Sequence, residues 1–97
     1  MFDLSKFALT GRTAIVTGGG RGIGKGICLA LAQAGANIVV AEIDATTTKK
    51  TAQDVQALGN KSLALVTDVR KDDQVQAMVR KTIETFGTID ILVNNVG

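Results

Sequence analysis

The stretch Thr17-Gly18-Gly19-Gly20-Arg21-Gly22-Ile23-Gly24 places five glycines in the seven positions from Gly18 to Gly24. It follows a short apolar run, Arg12–Thr17 (RTAIVT). It precedes a segment in which Ile23, Ile27, Ala30, Leu31 and Ala34 share one helical face, closed by Gly35 in a C-cap position. Apolar strand, glycine turn and amphipathic helix in that order make a βα unit, with the turn at the carboxyl end of the strand. Glycines there let the backbone turn sharply and approach a ligand closely. The helix N-terminus adds free N–H groups and the positive end of a dipole. A turn that only connects two elements needs one or two glycines, so five point to a bound phosphate.

The same alternation continues along the chain. Asn37–Ile43 (NIVVAEI) reads as a second strand, and Asp44 as the N-cap of a helix that runs to Leu58 and stops at Gly59. Lys61–Thr67 (KSLALVT) makes a third strand. Asp72 and Asp73 open a third helix, in which Val75, Met78, Val79, Ile83 and Phe86 keep a spacing of three to four before Gly87 ends it. Ile89–Val93 is the fourth strand. Continuous rather than alternating apolar strands are buried on both faces, so the sheet is parallel with helices on each side. Right-handed crossovers then predict an α/β fold, a Rossmann-like doubly wound sheet of which β-α-β-α-β-α-β in the order 3-2-1-4 is the first half. Residues 1–97 form one domain or part of one.

Composition narrows the chemistry. The 97 residues carry 11 Lys/Arg against 9 Asp/Glu, a net charge of +2 that argues for neither nucleic acid nor an anionic membrane as partner. The chain contains no His, Tyr, Trp or Pro and only one Cys. Histidine triads, His-ligated zinc, disulfide frameworks and a tyrosine acid are therefore excluded within these residues, and no metal site is expected. Met1–Arg12 lacks the apolar core of a signal peptide, no run reaches the length of a membrane span, and a cytoplasmic location follows as the expectation. Cys28, among Ile27, Leu29, Ala30 and Leu31, reads as a buried structural thiol.

Two phosphate chemistries compete for the glycine loop. Gly19–Lys25 fits the G-x-x-x-x-G-K of a nucleoside triphosphatase, and Asp68 after an apolar strand could be its second metal-binding acid. Gly26, however, stands where a Mg²⁺-holding hydroxyl belongs. The usual dinucleotide pattern G-x-G-x-x-G also fails, since Ile23 occupies the third glycine position. The spacing T-G-x-x-x-G-x-G does fit, with Gly18, Gly22 and Gly24.

With TGGGRGIG at Thr17–Gly24, DV at Asp68–Val69 and NNVG at Asn94–Gly97, the chain resembles the N-terminal cofactor-binding part of the short-chain dehydrogenase/reductase family. The family's usual NNAG is NNVG here, which adds bulk at Val96 without removing a polar group. The resemblance implies an oxidoreductase that interconverts alcohol and carbonyl by hydride transfer to or from NAD(P). It implies that Gly18, Gly22 and Gly24, with Gly20 and Arg21 in the same loop, carry the pyrophosphate, and that the Ile23 N–H faces the phosphates or the nicotinamide side. Asp68 would accept from the adenine amino group, and the Val69 backbone would complete that edge. Asn95 and Gly97 would support the cofactor's ribose and the central strand.

Glu42 bears on which dinucleotide is used. It ends the second strand, 24 positions after Gly18, where an acid hydrogen-bonds the adenosine ribose 2′-OH and repels a 2′-phosphate. Arg21 could pair with that phosphate, but Glu42 outweighs it, so NAD is expected over NADP. Asp44 is better placed as a helix cap.

Catalysis in the family resembles a proton relay of Tyr, Lys, Ser and Asn, and all four lie beyond the matched segment. No catalytic residue is therefore assigned within 1–97. An apolar fourth strand (IDILVNNV) left at a sheet edge, with Asp90 its one charge, carries the expectation that the chain is the N-terminal part of a longer enzyme. The complete protein is then expected to be a homo-oligomer, a dimer or tetramer, acting on a small alcohol or ketone. The alternatives are a non-catalytic dinucleotide-binding module and the triphosphatase.

Overall fold

The computed structural model describes residues 8–95. The elements run β1 (Thr13–Thr17), α1 (Gly22–Gln33), β2 (Asn37–Glu42), α2 (Ala45–Ala57), β3 (Ser62–Val66), α3 (Asp72–Phe86) and β4 (Ile91–Asn94). Every strand pairing is parallel and the sheet order is β3-β2-β1-β4, as the alternation of elements predicts. The register brings the carboxyl ends together: Thr17 lies beside Ala41 on one side and Asn94 on the other, and Glu42 lies beside Val66. Winding reverses between β1 and β4, and that reversal opens a crevice at the strand ends.

The two central strands hold the core. Ala14, Val16, Ile38 and Val40 face Cys28 and Ala32 of α1 and Ala52 and Val55 of α2. Ile15, Val39 and Ala41 face the opposite way, toward Met78 of α3. Helices thus cover both faces, the doubly wound arrangement. Full burial of side chains such as Ile15, Ile38 and Val39 contributes about 1.5–3 kcal/mol each, which is why β1 and β2 read as unbroken apolar runs.

Burial on both faces does not extend to the outer strands. β3 and β4 alternate between half-buried and exposed residues, and Val66 and Leu92 are largely exposed. Each pairs with a single neighbour among the described residues. Leu92 also shares the face of its register partner Ile15, on the side of the sheet that carries α3.

Two helical faces also differ from the spacing. α1 buries Gly24, Cys28 and Ala32, while Ile23 is 78% exposed. Small side chains let that helix lie close against β1 and the glycine loop, and Ile27, Leu29 and Leu31 pack around the margin. In α3, Val79 and Ile83 are exposed, and fully buried Thr82 donates to the Met78 carbonyl at 2.7 Å. β4 begins at Ile91 rather than Ile89. The Asp90 carboxylate accepts the Thr13 N–H at 2.8 Å and the Asp90 N–H donates to the Thr13 carbonyl at 2.9 Å. Asp90 therefore closes the foot of the β1–β4 pair, with Arg12 at 3.6 Å, instead of charging an open edge.

Candidate functional site

A cleft of about 530 Å³ opens at the carboxyl ends of the strands, lined by Gly18, Arg21, Ala41, Glu42, Ile43, Thr67, Asp68, Val69, Arg70 and Asn95. Six residues singled out in the sequence meet there: Gly18, Arg21, Glu42, Asp68, Val69 and Asn95. Gly20 lies in the adjoining loop, and Gly22, Ile23 and Gly24 form the first turn of α1. Gly97 lies outside the described residues.

Most of the loop's glycines answer to internal packing. A side chain at Gly18 would strike the Asn95 carbonyl, and one at Gly24 would strike the Gly18 carbonyl and the Asn95 amide nitrogen. At Gly20 a Cβ would stand 2.6 Å from Glu42 Cγ and from Thr47 Oγ1, and Thr51 Oγ1 of α2 donates to the Gly20 carbonyl at 3.0 Å. Only Gly22 of this group faces open space, with φ +58°, a left-handed conformation that favours glycine.

The three helix starts are not alike. Asp44 caps α2 by accepting the Thr47 N–H at 3.1 Å, as expected, and α3 carries Asp72 and Asp73 in its first turn. α1 has neither: Arg21 at its N-cap makes no side-chain capping bond, and no acid stands in the first turn. The amides of Gly22, Ile23 and Gly24 have no carbonyl one turn back to pair with. Beside open Gly22, they present donors to an anion.

Glu42 closes β2 and is almost buried, the residue as a whole 9% exposed. Its Oε2 accepts the Asp44 N–H at 3.2 Å and its backbone carbonyl accepts the Thr67 N–H at 2.9 Å. The carboxylate is thereby fixed at the cleft wall with acceptor capacity left over.

Across the cleft, Arg70 grips Asp68. Oδ1 accepts the Arg70 backbone N–H and Nε–H, each at 3.0 Å, and Oδ2 accepts Nη2–H at 3.0 Å. These bonds, the side-chain one foremost, hold the Asp68 carboxyl down at about 2. Gln74 Oε1 accepts the Asp68 N–H at 2.7 Å and so fixes the backbone as well. Sequence reading missed Arg70, whose signal is a base two positions after the acid. It also missed Ala41, Ile43 and Thr67, which carry no signal beyond their place at strand ends.

Thr17 joins the two sides of the crevice. Its O–H lies 3.1 Å from Asn94 Oδ1 and 3.2 Å from the Val93 carbonyl, and its oxygen accepts the Asn95 N–H at 3.1 Å. The hydroxyl ties the ends of β1 and β4 and seats Asn95 over Gly18. Lys25, the lysine of the triphosphatase reading, instead pairs with Asp54 of α2 at 2.8 Å and does not line the cleft. Cys28 is fully buried, and burial pushes its thiol up to about 12.

Comparison with known proteins agrees with this geometry. The short chain dehydrogenase family profile matches residues 12–97. The chain is 56% identical over 91 residues to the short chain dehydrogenase/reductase astE of Aspergillus oryzae, covering 93% of this chain and 35% of that one. It is 47% identical over 94 residues to 2-dehydro-3-deoxy-D-gluconate 5-dehydrogenase of Escherichia coli, covering 97% of this chain and 36% of that one. A solved 7α-hydroxysteroid dehydrogenase complexed with NADH and 7-oxo glycochenodeoxycholic acid superposes with a TM-score of 0.91 at 38% identity, covering 100% of this chain and 38% of that one. The chain spans little more than a third of the length of these relatives. Among the described residues no helix is long and apolar enough to cross a membrane. The strand order, the glycine turn, the acids at the strand ends and the profile match agree, and the chain belongs to the short chain dehydrogenase family.

Proposed function

We propose that this chain is the N-terminal dinucleotide-binding part of a single Rossmann-fold domain, in an oxidoreductase that interconverts an alcohol and a carbonyl using NAD. The observation that carries the reading is the contrast between helix starts: α2 and α3 supply their own acids, and α1 is left open for an anion beside the cleft. The residues present fit such a cofactor. The amides of Gly22, Ile23 and Gly24 would hold the pyrophosphate, with Arg21 at the rim. Glu42 would accept from the adenosine ribose hydroxyls and disfavour a 2′-phosphate by like charge. Asp68 and Val69 would meet the adenine edge, and Asn95 would support the inner ribose.

When bound, the nicotinamide ring carries the hydride. The part of these residues is to bind, orient and fix register. Buried Glu42 and Thr17-anchored Asn95 do so without needing to move. The chain contains no Tyr or His, so the proton relay implied by the resemblance would come from residues outside 1–97. The small-molecule alcohol or ketone would be met there too, as would the contacts of a dimer or tetramer. The bound steroid of the 7α-hydroxysteroid dehydrogenase supports a substrate of that general kind.

The test is binding of NADH and NADPH to the protein as its source makes it, followed by nicotinamide fluorescence with and without Mg²⁺. Tighter binding of NADH, indifferent to Mg²⁺, is expected. Failure to bind either dinucleotide overturns the reading, and tighter binding of NADPH overturns the role given to Glu42.

A further inference from the structure

Asp68 and Arg70 form a polar pair in the cleft that three hydrogen bonds join. A carboxylate offers about four acceptor positions. In this site three are taken, two on Oδ1 and one on Oδ2, all by Arg70. The side chain of Asp68 is 12% exposed and that of Arg70 is 79% exposed, and both line the cleft. The acid therefore sits in the wall with the base over it. Gln74 holds the backbone beneath, so the carboxylate can neither rotate nor retreat without breaking a bond at one end or the other.

We infer that Arg70 is a positioning residue that sets purine selectivity: it locks the Asp68 carboxylate so that one acceptor position, on Oδ2, remains for an exocyclic amino group, and the base is read as a 6-aminopurine. This rests on the dinucleotide reading above. A guanidinium held in two places is planar and directional, so it orients its partner in a way that an ammonium does not. A 6-oxopurine offers no donor at that position and meets a carboxylate lone pair instead.

The experiment compares NADH with reduced nicotinamide hypoxanthine dinucleotide, in which the amino group is replaced by oxygen. Both affinities are measured for the unmodified protein and for Arg70→Ala, Arg70→Lys and Asp68→Ala, with thermal melts to show that each variant is folded. The unmodified protein should prefer NADH by about tenfold or more, tenfold being the lower end of what one hydrogen bond to a charged group is worth. Arg70→Ala should cut that preference to about two- or threefold, chiefly by weakening NADH, with Arg70→Lys between them and Asp68→Ala near unity. A general loss of fold would weaken both ligands alike and leave the ratio unmoved.

An undiminished preference in Arg70→Ala overturns the inference. Tighter NADH binding in that variant also overturns it, by showing that the guanidinium obstructs the base. If the unmodified protein binds both dinucleotides equally, Asp68 does not read the base and the inference falls while NAD binding stands. If it binds neither, the functional reading has failed as well.

Discussion

Gly24, in the first turn of α1, lies against the carbonyl of Gly18, so close that any side chain at Gly24 would overlap that oxygen. The contact seats the helix start on the strand end, and Asn95 completes it with its amide nitrogen. Since the obstacle is backbone, relief requires the loop to move. Gly24→Ala should therefore destabilise the protein by about 3 kcal/mol, the upper end of overpacking costs. Two positions on, Gly26 is an exposed helical residue with open space at its Cβ position. Gly26→Ala should stabilise by about 0.5–1 kcal/mol. Thermal or denaturant melts of the two variants check both signs, and equal effects would show that the packing contact has been misread.

A second prediction concerns Glu42. The residue is almost buried and its carboxylate is bonded to the Asp44 N–H, so its orientation does not depend on a ligand. Glu42→Ala should weaken NADH by about 1–3 kcal/mol, the usual loss for a hydrogen bond to a charged group. NADPH should be weakened less or strengthened, because the like charge has gone. Titration calorimetry with both dinucleotides measures the two shifts. An unchanged NADH affinity would remove the basis for preferring NAD.

These two positions also show what the sequence made legible. The strand order was readable because β1 and β2 are buried on both faces, and burial leaves an unbroken apolar run that one-sided strands do not. The glycine turn was readable as a place, but its cause was not. Gly18 and Gly24 answer to Asn95 and to one another, and Gly20 answers to Glu42 and Thr47, contacts across 6 to 77 positions of chain. Periodicity placed Ile27, Leu31 and Ala34 of the α1 segment correctly against the core but misplaced Ile23, for a related reason. It ranks residues by hydropathy, whereas the close approach of this helix selects Gly24, Cys28 and Ala32 for size and leaves Ile23 outside. Arg70 escaped notice because an exposed arginine in a loop is unremarkable until its carboxylate partner is seen.

The third prediction is an alkaline limit on stability set by Cys28. Its Sγ is fully buried, 3.8 Å from the Gly19 carbonyl, and burial raises its pKa from 9.0 to about 12. The unfolded chain loses this proton near pH 9 and the folded one retains it until about 12. The thiol's stabilising contribution is therefore complete below pH 9 and declines as the pH rises from there toward 12. Melts of the unmodified protein and Cys28→Ala across that range should show a steeper alkaline decline in the former. Native Cys28 should also resist alkylation at neutral pH and react once the protein is denatured. Rapid alkylation of the native protein would contradict the buried placement.

The last prediction separates the two phosphate chemistries that the glycine loop could serve. In a triphosphate loop the lysine must reach the phosphates and a neighbouring hydroxyl must hold Mg²⁺. Lys25 instead bonds Asp54 at 2.8 Å, Asp54 also receives Lys50 at 2.6 Å, and the residue after Lys25 is Gly26. The two lysines hold the Asp54 carboxyl below its ordinary value. The bridge from Lys25 links α1 to α2, while Lys50 pairs within α2, and each lysine remains partly exposed. Lys25→Ala should accordingly lower the melting temperature only slightly, as expected of a solvent-screened pair, and a cycle with Asp54→Ala should recover that small cost as the coupling between them. Because Lys25 lies outside the cleft, its loss should leave NADH affinity within about twofold of the unmodified value, under the 1.4 kcal/mol that a tenfold change represents. A large loss of nucleotide affinity in Lys25→Ala, appearing only with Mg²⁺ present, would mean that the lysine leaves Asp54 to meet a phosphate, and the triphosphatase reading would then replace the dinucleotide one.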